Sequence, residues 1–208
     1  MVFIPWLMVY YNRGMVQAER ASRRRGRPPG SDALTRDQIA QSAADLADRD
    51  GWESLSFTAL ARSLDRHATS MYSHFSSLED LRRAVSLVSA DDLASRVWSA
   101  AIGKTGGDAL YAIAVAYRSF AAEHPGRTRS LSAINRDDPE FAGRMSHLHE
   151  PLAATFRSLG LDQARSVLAH EVFGATINGL VNTGGEDLVD QAVQLFLAAL
   201  STGSWPNS

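Results

Sequence analysis

"LTRDQIAQSAADLADRDGWESLSFTALARSLDRHATSMYSHFSSLEDL", residues 34–81, decides the fold. Ile39, Ala43, Leu46 and Ala47 recur at i, i+4, i+7 and i+8, the one-sided apolar spacing of an α-helix. Thr35 stands where an N-cap is needed, and Gly51 where helices commonly end. Ser56 is a second N-cap, with Phe57, Leu60, Ala61 and Leu64 behind it. A tight connection leads to "RHATSMYSHF", residues 66–75, rich in small hydroxyls and almost without formal charge. Ser77, with Asp80 three residues on, resembles a capping box in which Asp replaces Glu; it opens a long helix carrying Leu81, Val85 and Val88. Three consecutive helices, the last two closely joined and with no room for a strand, have the layout of a helix-turn-helix.

The second helix of such a unit lies in the DNA major groove, which displays donor and acceptor patterns at the base edges. Ser and Thr can bond either base type at close approach, so Thr69, Ser70 and Ser73 are candidate base readers. Tyr72 and His74 are long enough to reach phosphates on the groove walls, and Met71 and Phe75, four apart, form the inward face. Arg66 and His67 open the segment and add to the candidate contacts. The bland alternative is a helical hairpin with a solvated face.

Charge is distributed unevenly. The chain has 208 residues and a formal net charge of −2, but from Arg13 to Arg36 seven arginines face only Glu19 and Asp32. A basic arm on an acidic body points to an anionic partner at the amino end. Pro28, Pro29 and Gly30 keep that arm extended. Within "RRRGRPPG", residues 23–30, Arg25 and Arg27 are placed to enter a narrow A·T-rich minor groove, and the motif resembles an AT-hook core; a solubilising tail is the alternative. The absence of cysteine excludes disulfides, thiolate metal sites and cysteine nucleophiles, and fits a reducing, cytoplasmic setting. The apolar opening "MVFIPWLMVYY" falls short of the about 20 residues a membrane helix needs, and its positive charges follow rather than precede it. No membrane segment is expected, and residues 1–14 read as a mispredicted start ahead of Met15.

Beyond residue 100 the apolar spacing stays helical. Leu110, Ile113, Tyr117 and Phe120 share one face of a segment that stops at Pro125-Gly126; Phe141, Met145, Leu148, Leu152, Phe156 and Leu159 share another. Segments of about 163–182 and 187–201 are apolar on more than one side and must be buried on several faces. The expected class is all-α: an arm over 1–34, a helix-turn-helix domain over 35–81, and a larger helical bundle over 82–208 for ligand binding and dimerisation.

Residues 34–81 resemble the amino-terminal domain of the TetR family of transcriptional regulators. The match rests on Ile39 and Ala43, Gly51-Trp52, the Ser56 cap, Leu60-Ala61, Tyr72-x-His74-Phe75 and Glu79-x-Leu81, about a quarter of the chain. The resemblance implies DNA contacts at Thr58, Ser70, Tyr72 and His74. There are departures. Asp65-Arg66 occupies a turn where the family usually has Gly-Val; Asp tolerates left-handed backbone, while Arg66 stands in for a usually buried valine. Leu78 replaces a lysine, removing one backbone contact to DNA. The carboxy-terminal half is more faintly similar to a subgroup with a Trp-then-His-Gly signature, here Phe173 and Asn178-Gly179. It implies a homodimer through the last two helices and a small-molecule inducer pocket.

Candidate pocket residues are Trp98, Tyr117, Phe120, Phe141, Met145, His149, Phe173 and Asn178, each of a kind that also serves as plain core. Dimerisation has independent support: a monomeric helix-turn-helix reads few base pairs, and Ala175, Gly179, Ala192, Ala198 and Ala199 permit close helix contact. His147 and His149 are two apart and diverge by about 200° on a helix, so they cannot share a metal. No cofactor or metal is expected and no catalytic residue emerges. The expected function is a ligand-responsive repressor that binds a palindromic double-stranded DNA operator. An all-helical metal-dependent hydrolase, or a nucleoid-type DNA binder without ligand control, are the rivals; metal analysis and footprinting separate them.

Overall fold

The computed structural model describes residues 34–183 and 188–201; Arg25, Arg27 and the rest of the expected arm lie outside them. All regular structure among the described residues is helical. Helix α1 spans Arg36–Asp50. Thr35 and Gln38 cap it reciprocally, each side chain bonding the other's backbone N–H, and Gly51 ends it at φ 91°, a conformation that favours glycine. Helix α2, Phe57–Ser63, starts at Ser56, whose hydroxyl accepts from the Ala59 N–H. The turn that follows places Asp65 at φ 53°, as its tolerance of left-handed backbone anticipates, and turns Arg66 out into solvent.

Helix α3 is short, with α-helical bonding only over Ala68–Met71. The chain then tightens, with Ser73 N bonded to Ser70 O and His74 N to Met71 O, before Phe75 returns to the Met71 carbonyl. Helix α4 runs Leu78–Ala101. Ser77 caps it through the Asp80 N–H, but the Asp80 carboxylate reaches back to Ser76 N rather than closing a box on Ser77.

At about 1.5 Å per residue α4 is roughly 36 Å long, long enough to serve both ends of the molecule. Its Leu81, Ala84 and Val85 pack with Ile39, Leu60, Met71 and Phe75 in the amino-terminal head. Its Leu93, Ala94 and Val97 pack with the body, so the expected division at 81/82 falls inside a continuous helix.

The body contains α5 (Gly106–Glu123), α6 (Pro125–Ala133), α7 (Pro139–Ser158), α8 (Gln163–Asn182) and α9 (Val189–Ser201). Its centre is aromatic: Phe173 packs edge to face against Phe156 and Phe196, with ring centroids 6.2 and 5.2 Å away. Helix α6 departs from the sequence reading, in which Pro125-Gly126 ends α5. Pro is equally at home at the first position of a helix, and here it starts one after a single joint at His124. Gly126 admits no side chain, because a Cβ there would sit 2.2 Å from the Ala47 carbonyl carbon. Helix α6 therefore rests directly on the backbone of α1, joining body to head.

Candidate nucleic-acid interface

Met71 and Phe75 are almost fully buried and root α3 in the head. The same spacing turns Arg66, His67, Thr69, Tyr72 and Ser73 to solvent and leaves Ser70 and His74 half-buried. Asp65, Arg66, His67, Thr69 and Ser70 line an open groove of about 510 Å³. Thr58 is exposed on the first turn of α2. Tyr72 is 62% exposed, yet its ring is steadied edge to face on Phe57, at 4.7 Å between centroids. Of the ten residues singled out by sequence, eight are exposed or half-buried on the head, and Arg25 and Arg27 fall outside the described residues.

The hydroxyl orientations refine what this face can read. Ser70 Oγ donates to His67 O at 2.6 Å, and Ser73 Oγ donates to Ser70 O at 2.7 Å. Their protons are occupied, and their lone pairs face outward. A phosphate offers only acceptors, so in these rotamers the two serines suit the exocyclic amines of adenine or cytosine.

A positioning network stands behind α3. The Arg36 guanidinium, at the start of α1, lies over the Phe75 ring, 4.4 Å from its centroid, donates to the His74 carbonyl and pairs with both oxygens of Asp80. Asp80 also accepts from Ser76 N at 2.9 Å and Ser76 Oγ at 3.1 Å. The segment after α3 is thereby tied to the starts of α1 and α4. Hydrogen bonding from Arg36, then from Ser76, holds the Asp80 carboxyl down at about 2. Sequence reasoning placed Asp80 at a helix start but gave no sign of Arg36, 44 residues away. A carboxyl depressed by folding contributes stability that is complete above its unfolded value of about 4 and is lost as pH falls towards 2. Asp80→Asn is expected to cost about 1 kcal/mol at pH 7 and progressively less below pH 4, read by thermal unfolding at both ends of that range.

A second network joins head to body. Arg127, on α6 and only 4% exposed, bonds Asp48 through its backbone and guanidinium, Asp45 at 2.6 Å and Asp92 of α4 at 3.2 Å. His124 Nδ1 meets the same Asp48 at 2.9 Å. Beside it the buried Ser130 donates to Ser89 Oγ at 3.1 Å, while Ser86 Oγ donates to Ser130 O at 3.0 Å. The polar groups named here are all hydrogen-bonded, as buried polar groups require.

The expected pocket side chains are dispersed. Phe120 and Phe173 are deep in the body core, with Tyr117 and Met145 packed against it; burial raises the Tyr117 phenol above its ordinary value. Phe141 belongs to a separate small cluster with Leu87 and Ala90, which Met145 also touches. Trp98 is half-exposed and donates its indole N–H to His147 O at 2.9 Å. Asn178 is half-buried on α8, and His149 meets His170, a residue the sequence did not single out. No helix among the described residues is long and apolar enough to cross a membrane.

A three-helix head that presents an exposed α3 on a rigid base, joined to a helical body, defines a helix-turn-helix DNA-binding regulator. No family model matches the chain. Known proteins do. It is 36% identical over 162 residues to the uncharacterized HTH-type transcriptional regulator Rv0681 of Mycobacterium tuberculosis, covering 76% of this chain and 74% of that protein. It is 29% identical over 93 residues to the HTH-type regulator YobS of Bacillus subtilis, 45% of this chain and 49% of that one. The fold resembles that of BioQ solved with its double-stranded DNA operator, at TM-score 0.63 and 21% identity over 82% of this chain and 99% of that one. It also resembles Streptomyces coelicolor ActR in complex with (S)-DNPA, at TM-score 0.61 and 15% identity over 82% and 98%. The chain belongs to the HTH-type transcriptional regulators, and its fold is the one seen in TetR family regulators such as PfmR of Thermus thermophilus, at TM-score 0.61 and 19% identity over 77% of this chain and 97% of that one.

Proposed function

We propose that the protein acts in the cytoplasm as a homodimer paired through α8 and α9, repressing transcription from a palindromic operator until a small molecule enters the helical body. One observation carries the reading: an apolar face that the described residues leave uncovered. Leu168 and Val172 on α8, with Leu188 and Leu195 at α9, remain between 40% and 72% exposed, beside the exposed small residues Ala175, Gly179 and Ala198. A second copy related by a two-fold axis would bury that face against itself as a four-helix contact. The same axis would set two copies of α3 about 34 to 36 Å apart, matching successive major grooves on one side of a duplex. Thr58, Arg66, His67, Thr69, Ser70, Tyr72, Ser73 and His74 would make the groove contacts, with Arg25 and Arg27 adding minor-groove and phosphate contacts. A ligand that prefers a body conformation with different head spacing would release DNA by its differential affinity for the two states.

Leu168→Glu with Leu195→Glu tests the pairing. Sedimentation is expected to move from dimer to monomer, and operator affinity to fall at least about a hundredfold as bivalent contact is lost. A double variant that stays dimeric overturns this arrangement.

A further inference from the structure

The turn into α3 carries two opposite charges in succession, Asp65 and Arg66. Its backbone is fixed: Leu64 N bonds Leu60 O at 3.1 Å and Arg66 N bonds Ala61 O at 2.9 Å, with Asp65 between them at φ 53°. Both side chains are exposed, and neither forms a hydrogen bond or ion pair with any described residue. The carboxylate keeps its acceptors, and the guanidinium its donors, for an outside partner. Both residues line the same open groove as His67, Thr69 and Ser70, so they share a space with two hydroxyls of α3.

The backbone alone does not call for a carboxylate here. Glycine takes positive φ more readily, and asparagine takes it without charge. Beside a helix that enters the major groove, a carboxylate is repelled by the phosphates of both strands. It is favourable there only if it accepts a hydrogen bond from a base. Cytosine N4 is the ordinary partner of an acidic side chain, and guanine O6 and N7 together take both prongs of an arginine. Those two bases are paired with each other, and a G·C pair displays acceptor, acceptor and donor side by side. Neighbouring Arg and Asp answer that row with donors and an acceptor. An A·T pair breaks the row, with its amine between two acceptors and a methyl group at the edge.

We infer that Asp65 and Arg66 together read one G·C base pair in each half-site, Arg66 at the guanine and Asp65 at the cytosine paired to it. The inference rests on the groove-reading function proposed above and adds a base-pair preference to it. Asp65 then has two effects at once: it accepts from the right base and repels a duplex that offers it no amine.

Duplexes selected from a random pool by the full-length wild-type protein supply the probes, and fluorescence anisotropy the affinities. A G·C pair is expected at one fixed place in each half-site. N4-methylcytosine there puts a methyl where the outward amine proton was and keeps the pairing to guanine; wild-type binding should fall about tenfold per half-site. 7-Deazaguanine, which lacks N7, should cost a similar factor. Asp65→Gly should become indifferent to the first analogue only, and Arg66→Val to the second only. Asp65→Gly should also bind a scrambled duplex about threefold more tightly as repulsion is relieved, which loss of a merely structural residue would not do. Its thermal midpoint should not fall, since glycine takes φ 53° freely. If Arg66→Val fails to fold, the two analogues on wild-type protein still decide. Wild-type binding that tolerates both analogues overturns the inference, as does an Asp65→Gly variant still sensitive to N4-methylcytosine. A selected palindrome with no constant G·C pair overturns it too, and leaves groove reading intact. Selection of no repeated half-site at all overturns both.

Discussion

Arg127→Met is expected to destabilise the protein by about 3 kcal/mol, because it leaves Asp48 enclosed between α1 and α6 without its cation. For a chain of this size that corresponds to a fall of roughly 10 °C in the thermal midpoint. The side chain is 4% exposed and serves three carboxylates on two helices; Asp45 and Asp92 reach water, but Asp48, 13% exposed, would keep only His124 as a partner. The loss is electrostatic more than steric, since methionine keeps most of the packing volume. Arg127→Met with Asp48→Asn should therefore regain a large part of the stability. Should the double variant be no more stable than the single one, the buried carboxylate is not the source of the penalty.

Ser70→Ala with Tyr72→Ala is expected to weaken operator binding by two to three orders of magnitude, taking about 1–3 kcal/mol for each base or phosphate contact in each half-site. Binding to a scrambled duplex should change far less, because arginines supply the non-specific attraction. Ser70 is half-buried and Tyr72 62% exposed on a segment rooted by Met71 and Phe75, so the fold should survive, as thermal unfolding would confirm. Fluorescence anisotropy on the two duplexes gives the discrimination directly. Preserved discrimination in a folded double variant would remove α3 as the reading element.

The head was legible in the sequence because its signals are local. Thr35, Ser56 and Ser77 cap helix starts within three residues of themselves, and Gly51 and Asp65 adopt positive φ where the chain must turn. The one-sided spacing of Ile39, Ala43 and Leu46 then fixes which face is buried. What joins the pieces was not legible. Arg36 finds Asp80 across 44 residues, and Arg127 finds Asp48 across 79; charged residues carry no periodicity that names a distant partner. Helix α6 was hidden because Pro125-Gly126 reads as readily for a stop as for a start, and only contact with Ala47 reveals why Gly126 is needed. In the body, aromatic residues such as Phe120 and Phe173 do the same packing whether or not a ligand is nearby. His170 could not be singled out, since its partner His149 lies on another helix.

The central claim is that two copies of the 68–75 segment read base edges in adjacent major grooves. Selection of bound duplexes from a random pool tests it most directly. The account predicts enrichment of a palindrome with half-sites centred about one helical turn, 10 to 10.5 base pairs, or a multiple of it apart, and with adenine or cytosine recurring where Ser70 and Ser73 reach. Enrichment of A·T-rich duplexes with no repeated half-site would contradict it.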